Sequence, residues 1–225
     1  MSILSPKRGL WLALAIAALT AAPNASATYV FDLSTLVSGS APGVNDSSSP
    51  YLTATVKAVA PGEVQLTLDA SNLATDEFIR SWLFNIDPTV TPFSVTFDAA
   101  NSTLPSSVLL GTTYMSDNLS GGSNVKGGLF DMQFAYNAQG NATRFFGGNI
   151  VVLDIFSQLI DETSFNFTSV QGAPNQGTGG YYSVADIQGS GSVGAVDALT
   201  PVSEPSTLAL LIPALLGAGL FVRRR

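Results

Sequence analysis

Cysteine and histidine are both missing from the 225 residues. Without cysteine there is no disulfide staple, no thiolate metal site and no cysteine nucleophile. Without histidine the commonest general base, the usual zinc ligand and every Ser-His-Asp triad are excluded as well. Basic side chains are scarce, with nine Lys and Arg against sixteen Asp and Glu. Five of the nine sit at the chain ends as Lys7, Arg8, Arg223, Arg224 and Arg225. Only Lys57, Arg80, Lys126 and Arg144 remain between them, so four cations face sixteen acids and the body carries a formal charge of −12, counting Glu204. Such a surface repels nucleic acid and anionic lipid and can attract divalent cations, so no nucleic-acid partner is expected.

Long hydrophobic runs are missing too, and the two short ones that exist lie at the ends. Lys7 and Arg8 precede an apolar stretch from Leu10 to Leu19, and Ala25-Ser26-Ala27 follows as a small-x-small triplet. That order reads as a secretory signal peptide over residues 1–27, with Ala25 and Ala27 fitting signal peptidase and Thr28 becoming the first mature residue. Ten apolar residues fall far short of the roughly 20 that span a bilayer. At the other end, Ser203-Glu204-Pro205-Ser206-Thr207 leads into an uncharged stretch from Leu208 to Val222, closed by Arg223, Arg224 and Arg225. Three arginines resist translocation, so this segment is expected to act as a stop-transfer helix with its end in the cytoplasm. A 15-residue helix measures roughly 22 Å, short of the roughly 30 Å hydrocarbon core, and Pro213, Gly217 and Gly219 weaken it further. So short a span suits a temporary anchor over residues 208–222.

Val202 to Arg225 resembles the PEP-CTERM sorting signal of Gram-negative bacteria that make exopolysaccharide. Glu204 and Pro205 match the last two positions of the family's Pro-Glu-Pro motif, and Ser203 stands where the first proline is expected. The resemblance covers about a tenth of the chain and implies cleavage near the motif by an exosortase, a membrane-embedded cysteine protease. It further implies export across the inner membrane, transient anchoring, and release to the cell surface or extracellular matrix, with extracellular polysaccharide as a partner.

The body between the signals, about 175 residues, suits one domain with a substantial core. Leu52, Ala54, Val56 and Ala58 alternate with Thr53, Thr55 and Lys57, the period of a half-buried strand. Ala60-Pro61-Gly62-Glu63 supplies a turn, and Val64, Leu66 and Leu68 resume the alternation, completing a predicted hairpin. Further strands are expected over 29–33, 78–86, 93–97, 128–136, 149–156, 164–170 and 181–187. Gly-, Pro-, Asn- and Ser-rich loops separate them. The expected class is all-β, an antiparallel β-sandwich over residues 28–190 with a jelly roll as its variant. Residues 191–201 lose their alternation and read as a linker to the sorting signal at 202–225.

Carboxylates are the only plausible catalytic groups, and those in or beside strands are Asp76, Glu77, Asp131, Asp154, Asp161 and Glu162. A glycosidase needs two of them facing each other about 5 to 10 Å apart, and no pairing motif appears, so no catalytic residue is assigned and no enzyme is expected. No cofactor is implied. Asp131 or Asp154, beside Gly-rich loops, would be the ligands of a structural calcium ion, although no EF-hand spacing is present. Sugar stacking would use aromatic rings. Trp82 reads as core, whereas Tyr181 and Tyr182 follow a Gly-rich loop, though alternation puts one of the two rings inside. The leading expectation is an exported, exosortase-processed surface or exopolysaccharide-matrix protein with a structural or adhesive role. A lectin-like carbohydrate-binding module is the alternative, and a polysaccharide-processing enzyme is third.

Overall fold

A computed structural model describes residues 28–90, 94–97, 105, 107–110, 125–136 and 144–199. The alternation read between Leu52 and Asp69 becomes β3 (Leu52–Ala60) and β4 (Glu63–Asp69), an antiparallel hairpin pairing Val56 with Leu66 and Ala60 with Glu63. Its turn needs Gly62, whose φ of 77° places it in the left-handed region that side chains disfavour. Leu52, Ala54, Val56, Val64, Leu66 and Leu68 are buried, and the polar residues between them face outward.

The same alternation recruits β1 (Thr28–Leu33), β10 (Ile150–Phe156) and β6 (Ser94–Phe97) beside the hairpin. With β13 (Ala198–Leu199) they form a six-stranded sheet, A, in the order β13-β1-β3-β4-β10-β6. Sheet B runs β2-β12-β11-β5-β8-β7. Its members are β2 (Thr35–Gly39), β12 (Gly191–Ala195), β11 (Ser183–Gln188), β5 (Phe78–Phe84), β8 (Met132–Ala135) and β7 (Ser107–Leu110). A two-residue β9 (Phe145–Phe146) pairs with the start of β5. Every pairing in both sheets is antiparallel.

The inner faces share one apolar core. Phe31, Leu33, Val56, Leu66, Leu153 and Ile155 of sheet A meet Ile79, Trp82, Phe84, Phe134, Ala185 and Val193 of sheet B, all essentially without exposure. Phe31 and Phe84 meet edge to face at 6.5 Å, and Trp82 stacks between Phe84 and Phe145. Trp82 is core, as its apolar neighbours in sequence suggest, and its Nε1 donates to Ser183 Oγ at 2.8 Å.

Ser34 alone separates β1 from β2, so one continuous stretch leaves sheet A and enters sheet B. β12 and β13 make the reverse crossing beside it. Val30 therefore pairs with Leu199 and Gly191 with Gly39, and these crossings stitch the sheets together along one side. The expectation of a linker over 191–201 is corrected here, because residues 191–195 and 198–199 are strands. Gly and Ser obscured β12 in the sequence. In the fold they are needed, since a Cβ on Gly194 would lie 2.6 Å from the Tyr181 ring.

The strand expected over 164–170 is also corrected. Asp161 caps a 3₁₀ turn, Glu162–Phe165, by accepting the backbone N–H groups of Thr163 at 2.9 Å and Ser164 at 3.2 Å. That turn drops Phe165 into the core, 6.0 Å from Phe84. An Asp able to bond the backbone two and three residues on competes with strand pairing, and here it prevails.

Candidate functional site

The outer face of sheet B is where side chains with chemistry collect. Strands β5 and β11 pair Ser81 with Asp186 and then Ile79 with Ile187, which leaves Arg80 as an extra residue on β5. Such a bulge bends the strand and re-aims the extra side chain. Ile79, Trp82, Ala185 and Ile187 stay in the core, while Arg80 meets Asp186, its Nη2 lying 2.5 Å from Asp186 Oδ2. A second bulge lies two strands away, where β12 and β2 pair Ser192 with Ser38 and then Val193 with Leu36, leaving Val37 as the extra residue. The hydroxyls of Ser38 and Ser192 lie 2.7 Å apart.

Arg80, Asp186 and Ser38 line an open cleft of about 430 Å³, a size in the range of small-molecule sites. Gly189 and Ser190 of the turn between β11 and β12, Gly191 at the start of β12, and exposed Lys126 line it as well. The turn approaches β2 closely. A Cβ on Gly191 would meet Ser38 O at 2.0 Å and one on Gly39 would meet Ser190 O at 2.6 Å, so neither position tolerates a side chain. Behind the turn, Glu77 Oε1 accepts from Gly43 N at 3.0 Å and from Ser190 Oγ at 2.5 Å, tying it to the body of the domain.

The electrostatics of the cleft are unbalanced. Asp186 keeps only 5% of its side-chain exposure and Arg80 30%. Burial pushes the Asp186 carboxyl above its ordinary value, and the adjacent Arg80 guanidinium draws it part of the way back. Asp186 Oδ1, Arg80 Nε and Ser81 Oγ are buried with no hydrogen-bond partner. Orphaned polar atoms cost roughly 1–3 kcal/mol each, so three around one ion pair mark a place where the fold gives up stability.

The residues singled out from the sequence are dispersed. Tyr182 is half-buried and stacks on Phe31 at 5.9 Å, inside the sandwich. Tyr181, also half-buried, packs outside sheet B against the cluster of Leu83, Val125, Phe130 and Val184. The two rings thus lie on opposite faces, as alternation requires, and neither stands bare. Tyr136 is buried with its hydroxyl unpartnered, and burial pushes that phenol upward.

Among the carboxylates, Asp131 is buried and accepts Ile86 N at 3.2 Å, Asp154 accepts from Gln65 Nε2 across the strand pair at 3.2 Å, and Asp161 is a cap. Asp76 is exposed. Among the described residues no three acidic side chains converge as a metal site would need. Ala25, Ala27, Ser203, Glu204, Pro205, Arg223, Arg224 and Arg225 lie outside the described residues, as does the 208–222 segment.

Arg80, Lys126 and Asp186 were not singled out from the sequence. The available signal was scarcity, because two of the four cations in the body line this one cleft. No family model matches the chain, and neither a curated protein nor a solved structure matches it.

Proposed function

We propose that this is an exported protein of the cell surface or extracellular matrix, processed by an exosortase, with a structural or adhesive role. One observation carries the reading. Glu204-Pro205, an uncharged run of 15 residues and three terminal arginines follow one another in the order of a PEP-CTERM signal, in a chain that opens with a signal-peptide pattern. The body is compatible with that route. It has no cysteine to oxidise, and an all-β domain sealed by its first and last strands needs no staple.

The strands Gly191–Ala195 and Ala198–Leu199 leave little spacer before the motif. The last described strand ends at Leu199, four positions before Ser203, so the protease would act close to the folded sheet rather than at the end of a spacer. The test is the intact mass of the protein from its host's envelope and medium, compared with a host lacking the exosortase. Processing predicts a chain from Thr28 to about Pro205 in the normal host, with the Leu208 to Arg225 segment retained only in the deficient one. Retention of that segment in both hosts would make this a tail-anchored protein and remove the matrix role.

A further inference from the structure

The cleft over Arg80 and Asp186 differs in composition from two other depressions of similar size on the domain. The one beside Ser47 to Pro50 has a similar volume, but its charged lining is Asp32 alone, and the one beside Pro61 and Gly62 has no charged lining. Here two cations and one carboxylate line the same space, a formal +1 among the lining side chains, while the nearby Glu77 stands behind the turn with its Oε1 engaged by Gly43 N and Ser190 Oγ. The distant acids count for little, because exposed charges are screened beyond about 8 Å at physiological salt whereas contact charges are not.

We propose that this cleft binds a carboxylate carrying neighbouring hydroxyls, as in a uronic-acid unit of an acidic saccharide. A bare anion would meet Asp186 and be repelled, and a neutral polyol would leave Lys126 unused. A hydroxycarboxylate uses all three groups. Its carboxylate lies between the Lys126 ammonium and the exposed part of the Arg80 guanidinium, the arrangement that gives the stronger charge-assisted bonds. A hydroxyl donates to Asp186 Oδ1, the acceptor that has no partner in the fold. Oδ1 has no open surface, so this bond forms when the long Arg80 side chain rotates, and Arg80 Nε, itself unpartnered, gains an acceptor in the same step. The site stands on geometry alone. The choice of a saccharide over a small metabolite rests on the surface role proposed above.

The test is calorimetric titration of the protein, as purified from its host, with trigalacturonate, with galactotriose and with lactate, alongside NMR of the arginine Nε–H groups. Trigalacturonate is expected to bind saturably and to move the Arg80 Nε–H resonance, and galactotriose to bind neither saturably nor with that shift. Lys126→Glu, at an exposed position outside the core, should weaken trigalacturonate at least about tenfold, and Lys126→Arg should stay within about threefold of wild type. Absence of saturable trigalacturonate binding, or indifference to Lys126→Glu, overturns the site. Lactate binding as tightly as trigalacturonate overturns the saccharide assignment. Because these titrations do not depend on processing, a failed mass test in the host would remove the matrix role without touching the binding result at the cleft.

Discussion

The two sheets of this domain use the same strand chemistry to different ends. On sheet A, β3, β4 and β10 keep a regular alternation of buried and partly exposed residues, with one face on the core and the other toward water. On sheet B, β5 has six of its seven residues buried and β11 five of six. The difference arises from a second layer. Val125, Phe130 and Tyr181 cover Leu83 and Val184 on the outer face, and Gly127 makes room for the contact, since a Cβ there would lie 2.6 Å from Val184 Cγ2. An antiparallel sheet ordinarily leaves one face wet, and a covered one must satisfy its polar groups internally. Where the cover stops, the Arg80–Asp186 pair and its orphaned atoms begin. The candidate site is thus the boundary between a dry and a wet half of one sheet face.

Substitutions grade this contrast. Phe84→Ala opens the shared inner core and should cost about 3–5 kcal/mol in urea unfolding. Phe130→Ala removes a fully buried ring from the outer layer, a cluster of only four buried side chains with less packed structure to hold a cavity open, so about 2–3 kcal/mol is expected. Equal losses would make the cover a second core and break the distinction.

Arg80→Met probes the boundary. Removing one partner of a fully buried pair costs about 3–5 kcal/mol, but Arg80 is partly exposed and screening reduces this to about 2–3 at pH 7. Burial then acts on Asp186 unopposed and raises its folded-state value further. A group raised in the folded state stabilises fully below its unfolded value and loses that stabilisation as pH rises through the folded one. The deficit of Arg80→Met should accordingly be largest at neutral pH and shrink toward about pH 4, as followed by chemical denaturation across that range. A deficit independent of pH would show that Asp186 is not the group left behind.

The smallest effect belongs to the wet face of sheet A. Thr55 and Thr67 pair across β3 and β4, both half-buried, and Thr67→Ala should shift stability by no more than about 0.5 kcal/mol. A loss several times larger would mean that this face, too, is covered.

Much of sheet A was legible because its strands carry a period of two and are bounded by turn residues, as in Ala60-Pro61-Gly62-Glu63. Sheet B was legible where bulky residues cluster, around Phe78 to Ile86, Gly128 to Tyr136 and Tyr181 to Ile187. A strand buried on both faces needs no alternation, and β12 uses glycine and serine where a ring or a neighbouring backbone comes close. The candidate site was hidden for a related reason. Arg80 looks like an ordinary polar position in an alternating strand, and nothing local reveals that β11 skips it or that Lys126 lines the same cleft from more than forty residues away.

By itself the sequence determined what the chain cannot do and what class of fold it takes. Lacking histidine and cysteine it has no access to the commonest catalytic and metal chemistry, and alternation with turn residues dictates antiparallel sheets, because both properties are local and each residue carries its own share. Only the tertiary structure decided which face is covered, that β1 and β13 close the domain, and that Arg80 and Asp186 meet. Those outcomes depend on register between distant strands, where a single extra residue re-aims a side chain while leaving the local pattern almost unchanged.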